Sequence, residues 1–436
     1  MTSPTETDDI KANTDGGSRL SRRSALKATG AGIVSMSLAG CAGGIGGGGG
    51  DSVKLGVALP TSGPYGAVGQ SMQKGVKLGI RHTMERDAFE GEIEAVYRDT
   101  KTDPGTGRKR AQELVNQESV DIIAGAWSSS VGLAIESFVK EQEIPFLTYI
   151  GTNKITGEKC SKYTFDNDAS AAQQAGGSLG YALRQGLGKT VYQLVADYEW
   201  GQSHNRYIKN TLLPRHDAEL VGSSFVPLGK GDYSDVMATA KDSGADIVYL
   251  TFAGSDAVTA IKQAEQFGVM DQSVCPAPLT GIVTGGAVPP RALAHENFIG
   301  ATPWYWSYDQ AEASTKFRQE FHDEFGENPY GFAAVAYQSI RTAFDAMGNA
   351  NGTLSSTEDK DAWQSNMEGK KLIPQIWGKG STWRACDHRA TVPHMAVRGL
   401  PKGERNDENQ KLYKILDVPD QPDALMRKCS ETGCSL

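Results

Sequence analysis

From Val53 onward the chain alternates short apolar runs with amphipathic stretches, and this alternation constrains the fold more than any motif. Residues 53–59, 93–98, 120–124 and 145–149 have the length and apolar content of buried strands. Residues 69–84, 108–117 and 131–141 carry apolar positions at helical spacing, with residues 99–107 as a Thr, Asp, Gly and Pro loop. The order β-α-β-α-β-α-β predicts an α/β fold with a parallel, doubly wound sheet and helices on both faces. A second round follows. Helices are expected over 170–185, 201–213, 233–243 and 255–267, and strands over 190–196, 219–226, 247–251 and 274–278. A chain of 436 residues is long for one core, so the two rounds predict two Rossmann-like lobes facing across a cleft. Beyond Gly281 the pattern loosens. A strand is expected at 298–303, helices at 311–325 and 330–347, short strands within 375–384, and late strands at 394–398 and 411–418. Late strands after so many helices imply that the chain crosses between lobes more than once.

One turn stands out for chemistry. Gly125, Ala126, Trp127, Ser128, Ser129 and Ser130 join the third strand to the helix beginning at Val131. Serines there occupy N-cap positions, where a hydroxyl accepts from a free N–H of the first turn. The same turn points N–H groups and the positive end of a helix dipole outward, a cradle for a carboxylate or other small anion. Ser129 is the expected anion donor, Ser128 the cap or a second donor, and Trp127 the wall beside them.

The first residues read as a targeting segment. Ser21, Arg22, Arg23, Ser24 and Ala25 form a twin-arginine export pattern, followed by a weakly apolar run over 28–38. That run is too short to span a membrane and fits the apolar core of a signal peptide. Leu38, Ala39 and Gly40 before Cys41 resemble a lipoprotein cleavage site, which would leave Cys41 as a lipidated first residue. Residues 1–40 are therefore expected to be a signal peptide and 41–51 a Gly-rich flexible tether. The net charge of −8 gives no basis for nucleic-acid binding. Cys160, Cys275, Cys386, Cys429 and Cys434 remain for pairing outside the cell, an odd number that leaves at least one over. The short loop from Cys429 to Cys434 makes that pair the first expectation, with Cys386 to one of the two as its rival. Cys386, Asp387, His388 and His394 lack metal-ligand spacing, so no metal is expected.

Enzyme signatures are missing. The sequence holds no Gly-x-Ser-x-Gly elbow, no His-Glu-x-x-His and no phosphate-loop lysine. Pro60 and Pro64 stand where a dinucleotide loop needs bare backbone. No catalytic residue and no cofactor are expected.

The ordered set of local patterns is similar to the branched-chain amino acid (leucine/isoleucine/valine-type) solute-binding proteins of ABC importers, with a type I periplasmic binding protein fold. The resemblance rests on Val53 to Val57, Leu59 to Tyr65, Asp99 with Asp103 and Pro104, Gly125 to Ser130, Pro145, Asp197 to Gly201, Asn328 with Pro329, and Arg384 to His388. The N-terminal arrangement resembles secreted lipoproteins of halophilic archaea. The family implies two lobes joined by three crossover segments, placed here near Asp166, Gly281 and Gly380. Lobe one would comprise 52–168 and 282–378, lobe two 169–281 and 379–428, and 429–436 a C-terminal tail. Hinge closure would trap a ligand in the cleft. The resemblance gives the ligand carboxylate to Ser129 and Thr152, the ammonium to the Ile150 carbonyl and Asp256, and the cover to Trp200. Asp256 also qualifies as the N-cap of the helix it opens. The implied partners are a small-molecule ligand such as an amino acid, an ABC permease, and the outer face of the membrane through lipid on Cys41. A sensor of the same fold is the alternative role. This sequence departs from the family in three places. Phe165 is followed by Asp166 where the family has Arg, Val68 replaces an aromatic, and Trp127 is bulkier than the common aliphatic. The aromatic character of Trp127 and Trp200 admits urea, an amide or an aromatic acid as alternative ligands.

Overall fold

The computed structural model describes residues 52–85, 89–278, 288–308, 311–378, 380–405, 412–421 and 423–436. The targeting segment, Cys41, the tether and the crossing at Gly281 lie outside the described residues.

Two sheets organise the molecule. The first has the order β2-β1-β3-β4-β5, all parallel, from Val53–Leu59 (β1), Ile93–Asp99 (β2), Ile122–Gly125 (β3), Phe146–Thr148 (β4) and Thr164–Asp166 (β5). β3 and β4 are buried end to end and β1 everywhere but Lys54, as a sheet covered on both faces requires. The second is built from Thr190–Ala196 (β6), Glu219–Val226 (β7) and Ile247–Thr251 (β8) in the parallel order β7-β6-β8. A parallel bridge between Ile247 and Val274 leads from β8 toward a further group in the order β12-β11-β10-β9. Those strands are Cys275–Ala277 (β9), Phe298–Thr302 (β10), Met395–Gly399 (β11) and Tyr413–Asp417 (β12).

The helices run in chain order. Gly66–Glu85 (α1), Pro104–Asn116 (α2) and Ser129–Val139 (α3) connect the first sheet's strands. Ala171–Gly177 (α4), Leu179–Arg184 (α5), Glu199–Tyr207 (α6), Leu213–Arg215 (α7), Ser234–Asp242 (α8) and Gly254–Gln266 (α9) belong with the second. Then come Pro290–Leu293 (α10), Glu312–Phe325 (α11), Gly331–Gly348 (α12), Thr357–Met367 (α13) and Cys429–Thr432 (α14). The α2 helix begins earlier than expected. Asp103 caps it by accepting from the Thr106 N–H at 2.7 Å, and Pro104 supplies the preset φ of the first turn. The α13 helix, read as no element from the sequence, starts on a reciprocal capping box between Ser356 and Asp359. The longest helix contact is α12 on α1, and it is tight: a Cβ on Gly75 would come within 2.3 Å of the Ala333 carbonyl oxygen.

Sheet membership moves two of the three expected crossings. β10 is hydrogen-bonded between β9 and β11, so the chain is still in the second layer well past Gly281. It returns only after Thr302, when α11 and α12 pack on α1. The expected crossing at Gly380 falls inside the first layer. Lys371 bridges Thr382, Trp383 bridges Ala390, and Arg389 extends the first sheet beside Asp166. The third crossing is therefore the segment between Ala390 and β11. The tail adds a fourth connection. It leaves β12 at the edge of the second layer and is stapled to the first by disulfides Cys160–Cys434 and Cys386–Cys429. The expected Cys429–Cys434 pair does not form; these two cysteines are tied to different partners, and Cys275 stays free and buried.

Candidate functional site

Residues just after β1 and β4 meet residues just after β6 and β8, and the candidate site lies where they meet. At its base β3 ends on Gly125, where a Cβ would meet the Ala58 carbonyl oxygen at 2.1 Å. Only glycine lets the two strands approach there. Ala126 then takes φ 55°, which turns the chain and aims Trp127 away from the sheet. The Trp127 ring meets Tyr65 edge-on at 4.6 Å and Phe332 at 5.0 Å. Ser128 is the N-cap of α3 by backbone conformation, but its side chain makes no capping bond. Ser129 begins the helix. Its hydroxyl is buried, 1% exposed, and has no hydrogen-bond partner among the described residues. A buried hydroxyl at the free N–H end of an 11-residue helix is a donor set without an acceptor.

The opposite wall comes from the second layer. Tyr65 donates to the Tyr198 hydroxyl at 2.7 Å, a direct link between the layers. Tyr198 lies 6.0 Å from the Trp200 ring, nearly parallel to it. The Trp200 indole N–H donates to the Gln174 side-chain oxygen at 2.9 Å, which fixes its plane. The indole leaves room only for glycine at position 151, since a Cβ there would sit 2.8 Å from its nitrogen. Ser255 and Pro64 add a further link across the layers at 3.5 Å.

Two positions expected to hold a ligand are engaged otherwise. The Ile150 carbonyl, expected to receive an ammonium, accepts from the Arg389 guanidinium at 3.3 Å. The Thr152 hydroxyl, expected to meet a carboxylate, donates to the Glu199 carboxylate at 3.0 Å, and the Thr152 carbonyl accepts from Arg389 at 2.8 Å. The same guanidinium pairs with Asp166 at 3.1 Å, both side chains being buried. This explains the departure at Asp166: the cation that the family carries beside Phe165 is replaced by an acid, and Arg389 supplies the cation from the neighbouring strand.

Asp256 is buried, 4% exposed, in the first turn of α9. It is not the N-cap; Ala253 holds that position. Its carboxylate accepts from the Gly229 N–H at 2.8 Å and lies beside the Tyr233 phenol. Burial raises its pKa above the ordinary carboxylate value, against the hydrogen bonds that lower it. Sequence reasoning missed three members of this cluster: Tyr65, Tyr198 and Asp168. Asp168 is 3% exposed and accepts from its neighbour Ala169 N–H at 2.7 Å. Burial raises its pKa well above the ordinary value, with Asp166 adding to the effect and Arg389 opposing it. Two acids around Asn167 at the first crossing were the available signal.

The metal-like group near the third crossing dissolves in structure. Cys386 is in a disulfide, His388 bonds Glu368 at 2.9 Å, and His394 donates to the Pro278 carbonyl at 2.7 Å. Among the described residues no cluster of three or more His, Cys, Asp or Glu is placed to hold a metal ion.

The model of a protein family described as "Periplasmic binding protein" matches residues 52–404 of this chain. The chain belongs to the periplasmic binding protein family. As a member it is a solute-binding protein, and its two sheet layers are consistent with the family's two lobes. Among curated relatives, "Leu/Ile/Val-binding protein homolog 6" of Brucella suis biovar 1 is 29% identical over 378 residues, covering 85% of this binding protein and 93% of the relative. Among solved structures, a periplasmic binding protein from Burkholderia mallei superposes with a TM-score of 0.79 at 23% identity, covering 88% of this chain and 99% of that one. A solute-binding protein of an ABC transporter from Rhodopseudomonas palustris BisB5, in complex with 3,4-dihydroxybenzoic acid, superposes with a TM-score of 0.69 at 22% identity over 84% of this chain and 96% of that one. For this binding protein the two solved structures establish the fold. No helix among the described residues is long and apolar enough to cross a membrane.

Proposed function

We propose that this binding protein captures an amino acid between its lobes and presents it to an ABC permease. The observation that carries the reading is the unpartnered, buried Ser129 hydroxyl at the start of α3, facing a cleft whose other lobe holds a buried carboxylate, Asp256. A zwitterion needs donors at one end, an acceptor at the other and apolar walls between. Ser129 with the α3 N–H groups serves the carboxylate, with Ser128 as second donor. Asp256 takes the ammonium, and Tyr65, Trp127, Tyr198 and Trp200 form the walls. Ile150 and Thr152 position the site through Arg389 and Glu199 and do not touch the ligand. The name of the Brucella relative supports an amino acid.

An aromatic acid is the second reading. The aromatic walls favour it, and the Rhodopseudomonas structure holds such an acid. It leaves Asp256 facing no cation, a cost the amino acid avoids. Thermal shift of the purified protein against the twenty amino acids, urea, short amides and hydroxybenzoates separates the two, because a ligand bound only by the folded form raises the melting point. A shift with hydroxybenzoate and none with any amino acid overturns the first reading.

The export and anchoring steps belong to the same proposal. Arg22 and Arg23 direct the chain to the twin-arginine route, and Cys41 carries the lipid that holds it at the outer face of the membrane. Cys41→Ser releases the protein into the medium if this is right; continued partition with membranes refutes it.

A further inference from the structure

Glu199 opens α6, one position before Trp200, and it gathers contacts from both lobes. Its carboxylate accepts from the Thr152 hydroxyl at 3.0 Å and from the Lys154 ammonium at 3.0 Å, both on the chain that follows β4. Its backbone N–H donates to the Ser130 hydroxyl at 3.4 Å, in the first turn of α3. These three partners belong to the first lobe. The fourth, the Arg206 guanidinium at 2.6 Å, sits on α6 itself. One turn along the same helix face, the Ser203 hydroxyl accepts from the Asn153 N–H at 3.0 Å. One short stretch of the first lobe thus meets α6 at two successive turns. The Glu199 side chain is only 12% exposed and that of Lys154 32%. A charge-assisted contact sheltered in this way holds better than an exposed surface pair.

The contacts are divided as a hinge requires. If the lobes part, Glu199 loses its three first-lobe partners and keeps Arg206. Its charge stays paired, and Lys154 passes to water. Parting therefore strands no buried charge, which is the cost that fixes an ordinary buried pair in place. Meeting again restores two hydrogen bonds to a charged group, each worth about tenfold or more in an equilibrium. The contacts also adjoin the parts that enclose the cleft. Trp200, the cover, follows Glu199 directly and lies against Gly151, and Ser130 follows Ser129. Holding Glu199 on the first lobe sets cover and cradle at one separation.

We propose that Glu199 is the latch of the closed lobes, a positioning residue that touches no solute and slows its release by tying the first turn of α6 to Thr152 and Lys154. This rests on the reading above that a solute is held between the lobes, whichever solute it is.

Stopped-flow release and small-angle X-ray scattering on the purified protein test it, with the twenty amino acids and 4-hydroxybenzoate as probes. Glu199→Gln and Lys154→Gln should each release the tightest-binding probe about tenfold faster, with association changed by less than about threefold. The double variant should release it no more than about twofold faster than Glu199→Gln, because both changes break the same contact. Arg206→Gln, whose contact lies within one lobe, should not speed release. Both latch variants should also have a larger radius of gyration than wild type, with or without probe. An unchanged release rate in Glu199→Gln, even with a lowered melting temperature, makes Glu199 merely structural and overturns the latch, while amino acid binding leaves the reading of the solute standing. Binding of 4-hydroxybenzoate with no amino acid bound overturns that reading, and the release rates of 4-hydroxybenzoate then decide the latch. If no probe binds, a radius of gyration equal in Glu199→Gln and wild type overturns it.

Discussion

At the scale of single residues the site is a set of unmet requirements. Among the described residues the buried Ser129 hydroxyl has no hydrogen-bond partner, and Asp168 and Asp256 are buried carboxyl groups with no ion-pair partner. Ser129 gives predictions of opposite sign for the empty and loaded protein. Ser129→Ala should weaken ligand binding by about 1.5–3 kcal/mol, the range for a hydrogen bond to a charged group. The same change should leave the melting temperature of the empty protein unchanged or higher, since it removes an unsatisfied buried hydroxyl. Calorimetry and thermal melts on one preparation check both halves. The acids predict an unusual pH profile. Burial raises both pKa values, so the folded state holds protons that the unfolded state has already released. Stability of the empty protein should therefore fall as pH rises above the ordinary carboxylate pKa of about 4, by up to ~1.4 kcal/mol per pH unit for each acid until its folded pKa is passed. Asp256→Asn should flatten that slope in melts taken between acid and neutral pH. What the sequence reveals at this scale is what local spacing controls. Trp127, Ser128 and Ser129 stand on a strand-to-helix turn whose place in the fold is readable from six consecutive letters. The Tyr65–Tyr198 and Asp166–Arg389 contacts join residues separated by 133 positions and by more than 200, and no local pattern announces them.

At the scale of elements, most strands and helices follow from apolar runs and helical spacing, and the errors have identifiable causes. The α2 helix was shortened because a run rich in Thr, Asp, Gly and Pro reads as a loop, although Asp103 followed by Pro104 is a helix start. The α13 helix has a weak apolar stripe and is announced only by Ser356 and Asp359 three residues apart. The α1–α12 contact is the element pair most sensitive to a single atom. Gly75→Ala puts a methyl against the Ala333 carbonyl and should destabilise the protein by about 1–3 kcal/mol, as overpacking does. Denaturant unfolding measures it, and an unchanged midpoint would show that the two helices separate freely.

At the scale of the molecule, the alternating pattern predicts two sheet layers and they are present, the first all parallel and the second carrying antiparallel β11 and β12 at its edge. The crossings were misplaced because a crossing has no sequence signature of its own. It is defined by which sheet the next strand joins, and β10 joins the second. The Asp166–Arg389 pair ties the first crossing to the third in a buried setting. Arg389→Met leaves Asp166 buried and uncompensated and should cost about 3–5 kcal/mol. The double variant Asp166→Leu with Arg389→Met should recover only part of it, because the Ile150, Thr152 and Asp168 carbonyls lose the donor that Arg389 supplies. A cycle of four melts shows whether it does.

The stapled tail also changes what cleavage means for this protein. Cys160 and Cys434 are 274 positions apart in the chain, and every crossing lies within that interval. A protease that cuts once anywhere between them breaks a peptide bond and releases nothing. The nicked protein runs as one species on a denaturing gel without reductant and as two with it. Outside the cell, where thiols are oxidised, both lobes stay in one covalent molecule after an injury that would split a receptor lacking this bond.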